Sequence, residues 1–490
     1  MSRLRLSLLV TFLSSNGSAA VLFLVTLVLA RLLSPAEIGV FSMAAVLLAI
    51  AHALRDFGVS AYLLQEKELT PERIGAASGV LITASWLLGA GMFAASGWIA
   101  DYLHEPRTQE VMQVLACGFL FIPFGSITQT LLARDYRAQE QACVNALGTS
   151  AYAISVLWMA HAGMSYMSMA WANLISILVT SAGYAFFRPR EAPWRPSFSG
   201  WRQVVGFGGG TIIGGILDKA SSALPELWLG KASGANDVGL LSRANGTAKI
   251  FMQVAGPTAY YAAVRHLAQA HHRGEPVAPL LCKAMAYISA CAWPLFFATA
   301  IYSPDVVLFL YGPKWLDCAP LVSLICAAWG IVLVSMFHVA AMQAIGRPLL
   351  AALPSAAALL ARAACIFFVY DGTLNSFGWS MVLAALVALP ANMAIQKRMF
   401  AMGHLEFARA LMPSLAVTLA CAALAAALNG VTPPDWPAFV RLLILALLAC
   451  PAWVVMVVLV RHPLADELER AGARVPSLAR ALSFIMWLRR

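Results

Sequence analysis

Fourteen apolar segments, each long enough to cross a lipid bilayer, constrain this chain more than any other feature of its sequence. A helix needs about 20 mostly apolar residues to cross a hydrocarbon core of about 30 Å. Only 11% of the residues are charged, against roughly 25% in soluble domains. The sequence therefore predicts an all-α integral membrane protein and excludes a soluble enzyme. The segments cover approximately residues 8–30, 38–64, 74–100, 111–132, 142–161, 164–187, 203–229, 238–262, 280–301, 319–342, 348–370, 376–396, 409–428 and 437–460.

Two of these segments have alternative interpretations. The fifth and sixth are parted only by His161-Ala162-Gly163 and could be one element. The first follows Arg3 and Arg5, as the apolar core of a signal peptide would. It runs too long for a signal peptide, however, and no small-residue cleavage site precedes the second segment. We therefore interpret all 14 as transmembrane helices.

The distribution of Lys and Arg predicts the orientation of the chain in the membrane. Fourteen spans place both termini on one side, and cytoplasmic loops of membrane proteins are rich in Lys and Arg. With cytoplasmic termini, and with Lys283 and Arg409 counted at the cytoplasmic ends of their spans, cytoplasmic segments hold 23 of the 33 basic residues and external loops hold 4. This bias predicts that both termini are cytoplasmic. It also accounts for the net charge of +10 without nucleic acid as a partner.

A short segment near the first external loop recurs 200 residues later. Arg31-Leu-Leu-Ser-Pro-Ala-Glu37-Ile-Gly39-Val-Phe-Ser42 aligns without a gap with Lys231-Ala-Ser-Gly-Ala-Asn-Asp237-Val-Gly239-Leu-Leu-Ser242. We expect Glu37 and Asp237 to be capping or first-turn acids, because negative charge is favourable at a helix start. Six spans separate the two copies, so both have the same orientation in the membrane. Parallel repeats of this kind are typical of transporters, with the substrate path between the halves.

The repeat predicts the division of the chain into domains. Residues 1–195 form an N-lobe of six helices, and residues 196–400 form a C-lobe of six helices. Residues 401–460 add two extra helices, and residues 461–490 form a cytoplasmic amphipathic tail. The Arg- and Pro-rich loop at residues 188–202 would be the hinge between the lobes.

Several motifs resemble those of the polysaccharide transport family, the Wzx-type flippases of lipid-linked oligosaccharides. They are Leu29-Ala-Arg-Leu-Leu-Ser-Pro-Ala-Glu-Ile-Gly39, Arg55-Asp-Phe-Gly-Val59, Leu63-Leu-Gln65, Leu310-Tyr-Gly-Pro-Lys-Trp315, Ala319-Pro-Leu321 and Ala344-Ile-Gly-Arg-Pro348. Where the family usually has Asp-Leu-Gly-Leu, this chain has Asp56-Phe-Gly-Val. The resemblance implies the fold of the multidrug/oligosaccharidyl-lipid/polysaccharide exporter superfamily, in which two six-helix lobes surround a central cavity that opens alternately to each side of the membrane. It also implies an oligosaccharide on undecaprenyl diphosphate as the substrate, and export for exopolysaccharide, capsule or O-antigen biosynthesis.

An anionic diphosphate needs cations in a wet cavity, and six basic residues fall inside the predicted spans. Arg441 lies near a span end, and we expect it to snorkel to the surface. The other five are candidate substrate-binding residues: Arg55, Lys219, Arg243, Lys249 and Arg362. Ion pairing with neighbours is the alternative, although adjacent residues on a helix point about 100° apart and pair poorly.

Three acids in the spans are candidates for coupling export to a gradient of H+ or Na+. They are Asp56, Asp218 and Glu226, and intramembrane carboxylates are typical of ion relays. Alternatively, these carboxylates only neutralise the nearby cations. Both interpretations remain open from the sequence.

Competing functions differ in what they require of the sequence. A cation-coupled multidrug exporter of the same superfamily would need cavity acids rather than an excess of cations. A membrane polymerase or ligase of glycan assembly would need a large external loop, whereas the longest here, about residues 302–318, has 17 residues. We therefore expect a transporter without enzymatic activity, metal or cofactor, located in the bacterial inner membrane, with a polysaccharide polymerase as a possible partner.

Overall fold

A computed structural model of the chain describes residues 3–56, 58–66, 68–190, 192–344, 350 and 352–472. Within these ranges every regular element is helical. Twelve helical stretches are long and apolar enough to cross a bilayer, and they correspond to the predicted segments one to six and nine to fourteen. Phe57, residues 345–348 of the Ala344–Pro348 motif, and residues 473–490 of the predicted tail lie outside the described residues.

The first six predicted spans have well-defined ends. α4 begins at Pro71 because Thr70 accepts a hydrogen bond from the backbone N–H of Arg73. α6 ends at His161, and Gly163 follows with a φ of 84°, so the division between the fifth and sixth spans is confirmed. The helices are α1 (Arg3–Leu32), α2 (Pro35–Asp56), α3 (Val59–Gln65), α4 (Pro71–Tyr102), α5 (Arg107–Arg134), α6 (Ala138–His161) and α7 (Met167–Phe186).

The seventh and eighth predicted spans are the two longest helices. α8 covers Trp201–Ser233 and α9 covers Ala235–His272, which are 33 and 38 residues. At 1.5 Å per residue both exceed the thickness of a bilayer core of about 30 Å. α8 and α9 lie at the positions predicted for the seventh and eighth spans.

The remaining helices follow in the predicted order. Two short elements precede the tenth span, and α18 begins the C-terminal segment. The elements are α10 (Val277–Ile301), α11 (Ser303–Leu310), a 3-10 helix (Pro313–Cys318), α12 (Ala319–Leu333), α13 (His338–Ala344), α14 (Ala352–Val369), α15 (Leu374–Phe400), α16 (His404–Val431), α17 (Ala438–Leu459) and α18 (Leu464–Gly472).

Two spans that the sequence predicts as continuous are interrupted in the structure. The second span breaks between α2 and α3, where Gly58 has a left-handed φ of 72°. The tenth span breaks between α12 and α13. Hydrophobicity does not reveal either break, because the apolar pattern runs through both.

The chain separates into two compact units, residues 1–242 and 243–490. In unit 1, α5 packs against α4 and α7, and α2 packs against α8. In unit 2, α10 packs against α12 and α16, and α15 packs against α12 and α14. The predicted lobe boundary at residue 195 therefore differs from the boundary between the two compact units, which lies after residue 242. The division into lobes stays a prediction.

The segment between α7 and α8, which the sequence predicts to be a hinge, is docked on α4. The backbone N–H of Ser197 donates to the carbonyl of Gly75 at 2.9 Å. A side chain on Gly79 would collide with the carbonyl of Ser197. The guanidinium of Arg188 lies over the ring of Trp194 at 4.3 Å. These contacts hold the segment against unit 1.

Candidate functional site

The loop before α2, where the first copy of the repeat lies, contains a capping box. The backbone N–H of Glu37 donates to Ser34 Oγ at 3.3 Å, and that of Ser34 donates to Glu37 Oε2 at 2.7 Å. The hydroxyl of Ser165 donates to the other carboxylate oxygen. Glu37 therefore has the first-turn role expected from the sequence. Asp237 is the third residue of α9, as Glu37 is the third residue of α2.

The first turns of α2 and α9 cross at the two glycines of the repeat. A Cβ on Gly39 would collide with the carbonyl oxygen of Ala235, and a Cβ on Gly239 would collide with that of Pro35. One turn further on, the hydroxyls of Ser42 and Ser242 are 3.1 Å apart. Each contact is matched by its counterpart 200 residues away, as expected for an approximate two-fold axis between the helix starts.

We predict that Gly39→Ala destabilises the protein, because the added methyl group meets a backbone carbonyl that cannot rotate away. Overpacking of this kind costs about 1–3 kcal/mol. Thermal unfolding in detergent should show the loss. Gly91→Ala in α4 is the matched control, because nothing lies within 4 Å of its added Cβ. Equal unfolding temperatures for the two variants would contradict the close crossing.

A polar cluster lies at the break of the second span, where α2 ends with Arg55 and Asp56. Gly58 turns the backbone, and α3 begins at Val59. Discontinuous transmembrane helices form ligand sites in transporters because their ends expose backbone and side-chain polar groups. A cation in the last turn of α2 is also stabilised by the helix dipole.

Arg55 is held by one hydrogen bond and keeps one donor unused. Its Nη1 donates to Ser126 Oγ on α5 at 3.0 Å. Its Nε is buried without a hydrogen-bond partner among the described residues. A guanidinium presents several donors in one plane and can bind a phosphate through two of them. Arg55 therefore has the geometry of an anion-binding residue with one edge anchored.

A chain of hydroxyl groups connects the partner of Arg55 to Asp56. Thr130 Oγ1 donates to the carbonyl of Ser126 at 3.0 Å and lies 3.5 Å from Ser60 Oγ. Ser60 Oγ donates to Asp56 Oδ1 at 2.6 Å. The carboxylate of Asp56 therefore accepts from Ser60, and no ion pair joins it to Arg55 within the described ranges. This agrees with the expectation that adjacent residues on a helix pair poorly.

α5 is adapted to the polar cluster. Pro123 lies inside this helix and has no N–H to donate to the carbonyl of Phe119. The ring of Phe119 stacks on His52 of α2 with 5.0 Å between the centroids. Sequence reasoning missed His52, Ser126 and Thr130. The available signal was a proline followed by two hydroxyl residues four apart in an apolar helix.

The other candidates in unit 1 lie on α8. Lys219 Nζ is 3.7 Å from Asp218 Oδ2, so these neighbours do form an ion pair, and it is a loose one, as expected for adjacent residues on a helix. Their flexible side chains reach one another although their Cα–Cβ bonds diverge. The side chains are 49% and 61% exposed, and so loose a pair contributes little to stability. Glu226 is half-buried in the same helix.

The three candidate cations in unit 2 are half-buried, and two of them lie over aromatic rings. The guanidinium of Arg243 is 5.9 Å from the ring of Tyr311 and 5.8 Å from that of Trp315. Lys249 Nζ is 5.5 Å from the ring of Trp329. Arg362 lies on α14. The Leu310–Trp315 motif thus surrounds Arg243, and the hydroxyl of Tyr311 lies 3.0 Å from that of Thr247.

The expectation that Arg441 snorkels was wrong. Its Nη1 lies 2.9 Å from Asp305, and the two side chains are only 11% and 10% exposed. The guanidinium also donates to Asn429 Oδ1 and lies 5.6 Å from the ring of Tyr302. The partner that holds Arg441 inside is 136 residues away in the sequence. For this reason hydropathy suggested a surface position.

Comparison with known proteins gives the family. A family model described as "Polysaccharide biosynthesis protein" matches residues 28–320, more than half of the chain. The chain belongs to this family. The match covers α2 and α3 with their polar cluster, and it includes the crossing of α2 and α9.

Two relatives from the polysaccharide biosynthesis family illustrate its range. Lipopolysaccharide biosynthesis protein WzxC of Escherichia coli (strain K12) is 20% identical over 303 residues, 61% of each chain. Succinoglycan biosynthesis transport protein ExoT of Rhizobium meliloti (strain 1021) is 23% identical over 326 residues, 65% of each chain. The matched stretch thus spans less than two thirds of these relatives. The resemblance inferred from the motifs is confirmed.

Solved structures confirm the fold class. A lipid II flippase MurJ in an inward closed conformation matches with a TM-score of 0.72 at 12% identity, covering 92% of this chain and 97% of that chain. An inward-facing multidrug resistance MATE family transporter of the MOP superfamily matches at 0.58 with 14% identity, over 80% and 95% of the two chains. The predicted all-α membrane fold with 14 helices is therefore correct.

Proposed function

We propose that the protein is a flippase for an undecaprenyl-diphosphate-linked oligosaccharide. It moves the repeat unit from the cytoplasmic to the periplasmic leaflet for the assembly of a surface polysaccharide. The observation that carries this proposal is the family match over residues 28–320. A lipid-linked glycan that is made on the cytoplasmic face must cross the bilayer before it is polymerised on the periplasmic face. Transfer across the bilayer is therefore the evident task of a membrane protein of that family that has no enzymatic role.

Arg55 is the first contact of the diphosphate in this proposal. One edge of its guanidinium is anchored on Ser126, and its buried Nε, which has no partner among the described residues, would bind an oxygen atom of the ligand once the cluster opens. The half-exposed ammonium of Lys219 on α8 adds a second cation in unit 1. Arg243 and Lys249 on α9 and Arg362 on α14 are further candidate cations.

We propose that transport is driven by an ion gradient, with H+ or Na+ as the coupling ion. Asp56 is the strongest of the three acids, because it accepts a hydrogen bond from Ser60 and adjoins Arg55 at the break of the second span. Binding of a cation at Asp56 would change the charge beside the diphosphate. Asp218 and Glu226 on α8 are further candidates.

The location of the protein follows from the same proposal. The substrate is made on the cytoplasmic face of the bacterial inner membrane, so the protein acts there, with both termini in the cytoplasm. The flipped unit then passes to a polysaccharide polymerase, which is the proposed partner. The chain itself acts as a transporter and not as an enzyme.

Alternating access requires the crossing of α2 and α9 to open and close during each cycle. We predict that Ser42→Cys together with Ser242→Cys, in a chain without its nine native cysteines, forms a disulfide that stops export. The two hydroxyl oxygens are 3.1 Å apart, close enough for the substituted sulfur atoms to bond after a small shift. Lipid-linked repeat units extracted from cells should increase on oxidation and return to the starting level on reduction.

The single Ser42→Cys variant is the matched control, because it carries the same change without a partner thiol. It should export under both oxidising and reducing conditions. Normal export by the fully cross-linked double variant would exclude movement at this crossing and with it the proposed form of alternating access. If no strain accumulates lipid-linked units and the strains differ in drug sensitivity instead, a multidrug exporter would be favoured.

A further inference from the structure

The tenth span is interrupted by a turn of tighter helix that ends at His338. After Leu333 the backbone bonds run from residue i to i+3, with Val334 donating to Ile331 and His338 donating to Ser335. The carbonyl of Gly330 accepts instead from the indole N–H of Trp293 on α10 at 2.8 Å. Regular i to i+4 bonding resumes beyond His338. Mid-helix 3-10 stretches often mark hinges.

His338 is a buried imidazole without a hydrogen-bond partner. Its side chain is 1% exposed, and neither Nδ1 nor Nε2 has a partner within the part of the chain that the structure describes. In a membrane protein such a group is costly, because no solvent is present to satisfy it. Imidazole is also the side chain whose protonation changes near neutral pH. Neither the family match nor the polar cluster of α2 explains it.

Two further buried polar side chains lie on α15, which packs against α12. Leu321 and Leu324 near the start of α12 contact Gly378 near the start of α15, so these packed helices run parallel. His338 follows Leu324 by 14 residues, and Asn392 follows Gly378 by 14 residues. Among the described residues, Asn392 Oδ1 is buried without a partner, and so is Nε2 of Gln396 one turn further on. The tenth span and α15 thus carry three buried polar side chains with atoms that lack a partner in the described part of the chain.

The helices packed around His338 carry no carboxylate in unit 2. α9 is one of them, because its Gly256 lies against Met336. Within the described residues, α10, α12, α13, α14, α15 and residues 243–272 of α9 contain no Asp or Glu, and Asp305 on α11 is paired with Arg441. The charged groups on α10 and α12 to α15 are all cations, and their other titratable groups besides His338 are thiols and one phenol. They are Lys283, Arg362, Lys397 and Arg398, with Cys282, Cys291, Cys326, Cys365 and Tyr287. α9 adds Arg243, Lys249 and Arg265, with His266, His271, His272, Tyr260 and Tyr261. An imidazolium here would have no anion to compensate it while the site is closed.

We propose that His338 is a proton-binding site that controls opening of the tenth span. In the closed turn its imidazole is neutral. When the turn opens to water, a ring nitrogen takes up a proton from solution, and the new charge favours the open, hydrated arrangement. Asn392 and Gln396 provide an acceptor and a donor on α15, the helix that packs against α12. The proton site itself does not depend on the proposed function. Its role, which is to couple a proton to the export cycle, rests on that function.

Hydrogen–deuterium exchange on the full-length protein in lipid nanodiscs tests this directly and needs no substrate. Peptides covering residues 331–344 are compared at about pH 5.5 and about pH 8, after correction for the intrinsic exchange rate. The wild-type protein should lose about tenfold in protection at the lower pH. Uptake of one proton on opening shifts the opening equilibrium about tenfold for each pH unit below the pKa of the open state. His338→Gln keeps a polar amide that does not titrate, and its protection should not depend on pH.

His404→Gln is the matched control, because His404 is exposed at the start of α16. It should respond to pH like the wild-type protein. His338→Asn provides a second variant if the first does not elute as a folded protein. Equal pH responses in the wild-type and His338-substituted proteins would overturn the proposal.

Export by the same variants separates this inference from the proposed function. In a deletion strain, the wild-type gene should relieve the accumulation of lipid-linked units and His338→Gln should not. Relief at the wild-type level by His338→Gln would also overturn the role of His338 in coupling. If the wild-type gene brings no relief, the proposed function fails, and the exchange measurement still decides whether His338 is a proton site.

Discussion

Replacing Arg441 with alanine should destabilise unit 2 by about 3–5 kcal/mol, the usual cost of removing one partner of a buried ion pair. Asp305 would remain, only 10% exposed, without its cation. Burial raises the pKa of Asp305, and Arg441 opposes this shift. The Arg441 guanidinium also joins Asn429 on α16 to Asp305 on α11, so its loss should loosen α16 and α17.

Thermal unfolding in detergent measures this effect. Arg409→Ala on α16 is the matched control, because Arg409 is exposed. This variant should unfold at the same temperature as the wild-type protein. Arg441→Met combined with Asp305→Leu removes both charges and should recover much of the lost stability. If Arg441→Ala unfolds at the same temperature as the wild-type protein, the ion pair contributes nothing, and the expectation that Arg441 snorkels to the membrane surface would stand.

Replacing Arg55 with alanine should abolish export and leave the protein folded and inserted. Loss of a hydrogen bond to a charged group costs about 1.5–3 kcal/mol, which is roughly a 10- to 150-fold loss of affinity for the diphosphate. Among the described residues Arg55 has Ser126 as its hydrogen-bond partner, so removal of the guanidinium should cost little stability. Export in a complemented deletion strain and the elution profile of the purified variant measure the two effects.

Two further variants make the test of Arg55 specific. Arg55→Lys keeps the charge without the planar set of donors and should retain partial export. Arg398→Ala at the end of α15 removes an exposed cation and should export normally. Normal export by a stable Arg55→Ala variant would remove Arg55 from the binding site.

Local features of the fold were predictable because short-range physics determines them. Span positions follow from the length of apolar segments, since a bilayer accepts only helices of sufficient length. The first-turn role of Glu37 follows from the capping pattern that begins at Ser34. The equivalent positions of Gly39 and Gly239 follow from the gapless repeat, and the structure adds that these glycines face one another's helix starts.

Features that depend on long-range partners were not predictable. Arg441 and Asp305 are far apart in the sequence, so hydropathy alone placed the arginine at the surface. The break before His338 depends on the indole of Trp293, because its N–H donates to the Gly330 carbonyl, which has lost its partner within the helix. Ser126 and Thr130 resemble ordinary small polar residues until α2 brings Arg55 beside them.

The central claim is that the chain carries a lipid-linked oligosaccharide from one leaflet to the other. The most direct measurement locates the repeat unit in a deletion strain, by labelling its sugars with a reagent that cannot cross the inner membrane. The flippase account predicts that the unit accumulates on the cytoplasmic leaflet, protected from the reagent. It also predicts that the wild-type gene, but not Arg55→Ala, restores labelling from the periplasm. Lipid-linked units that reach the periplasmic leaflet equally well without the gene would contradict it.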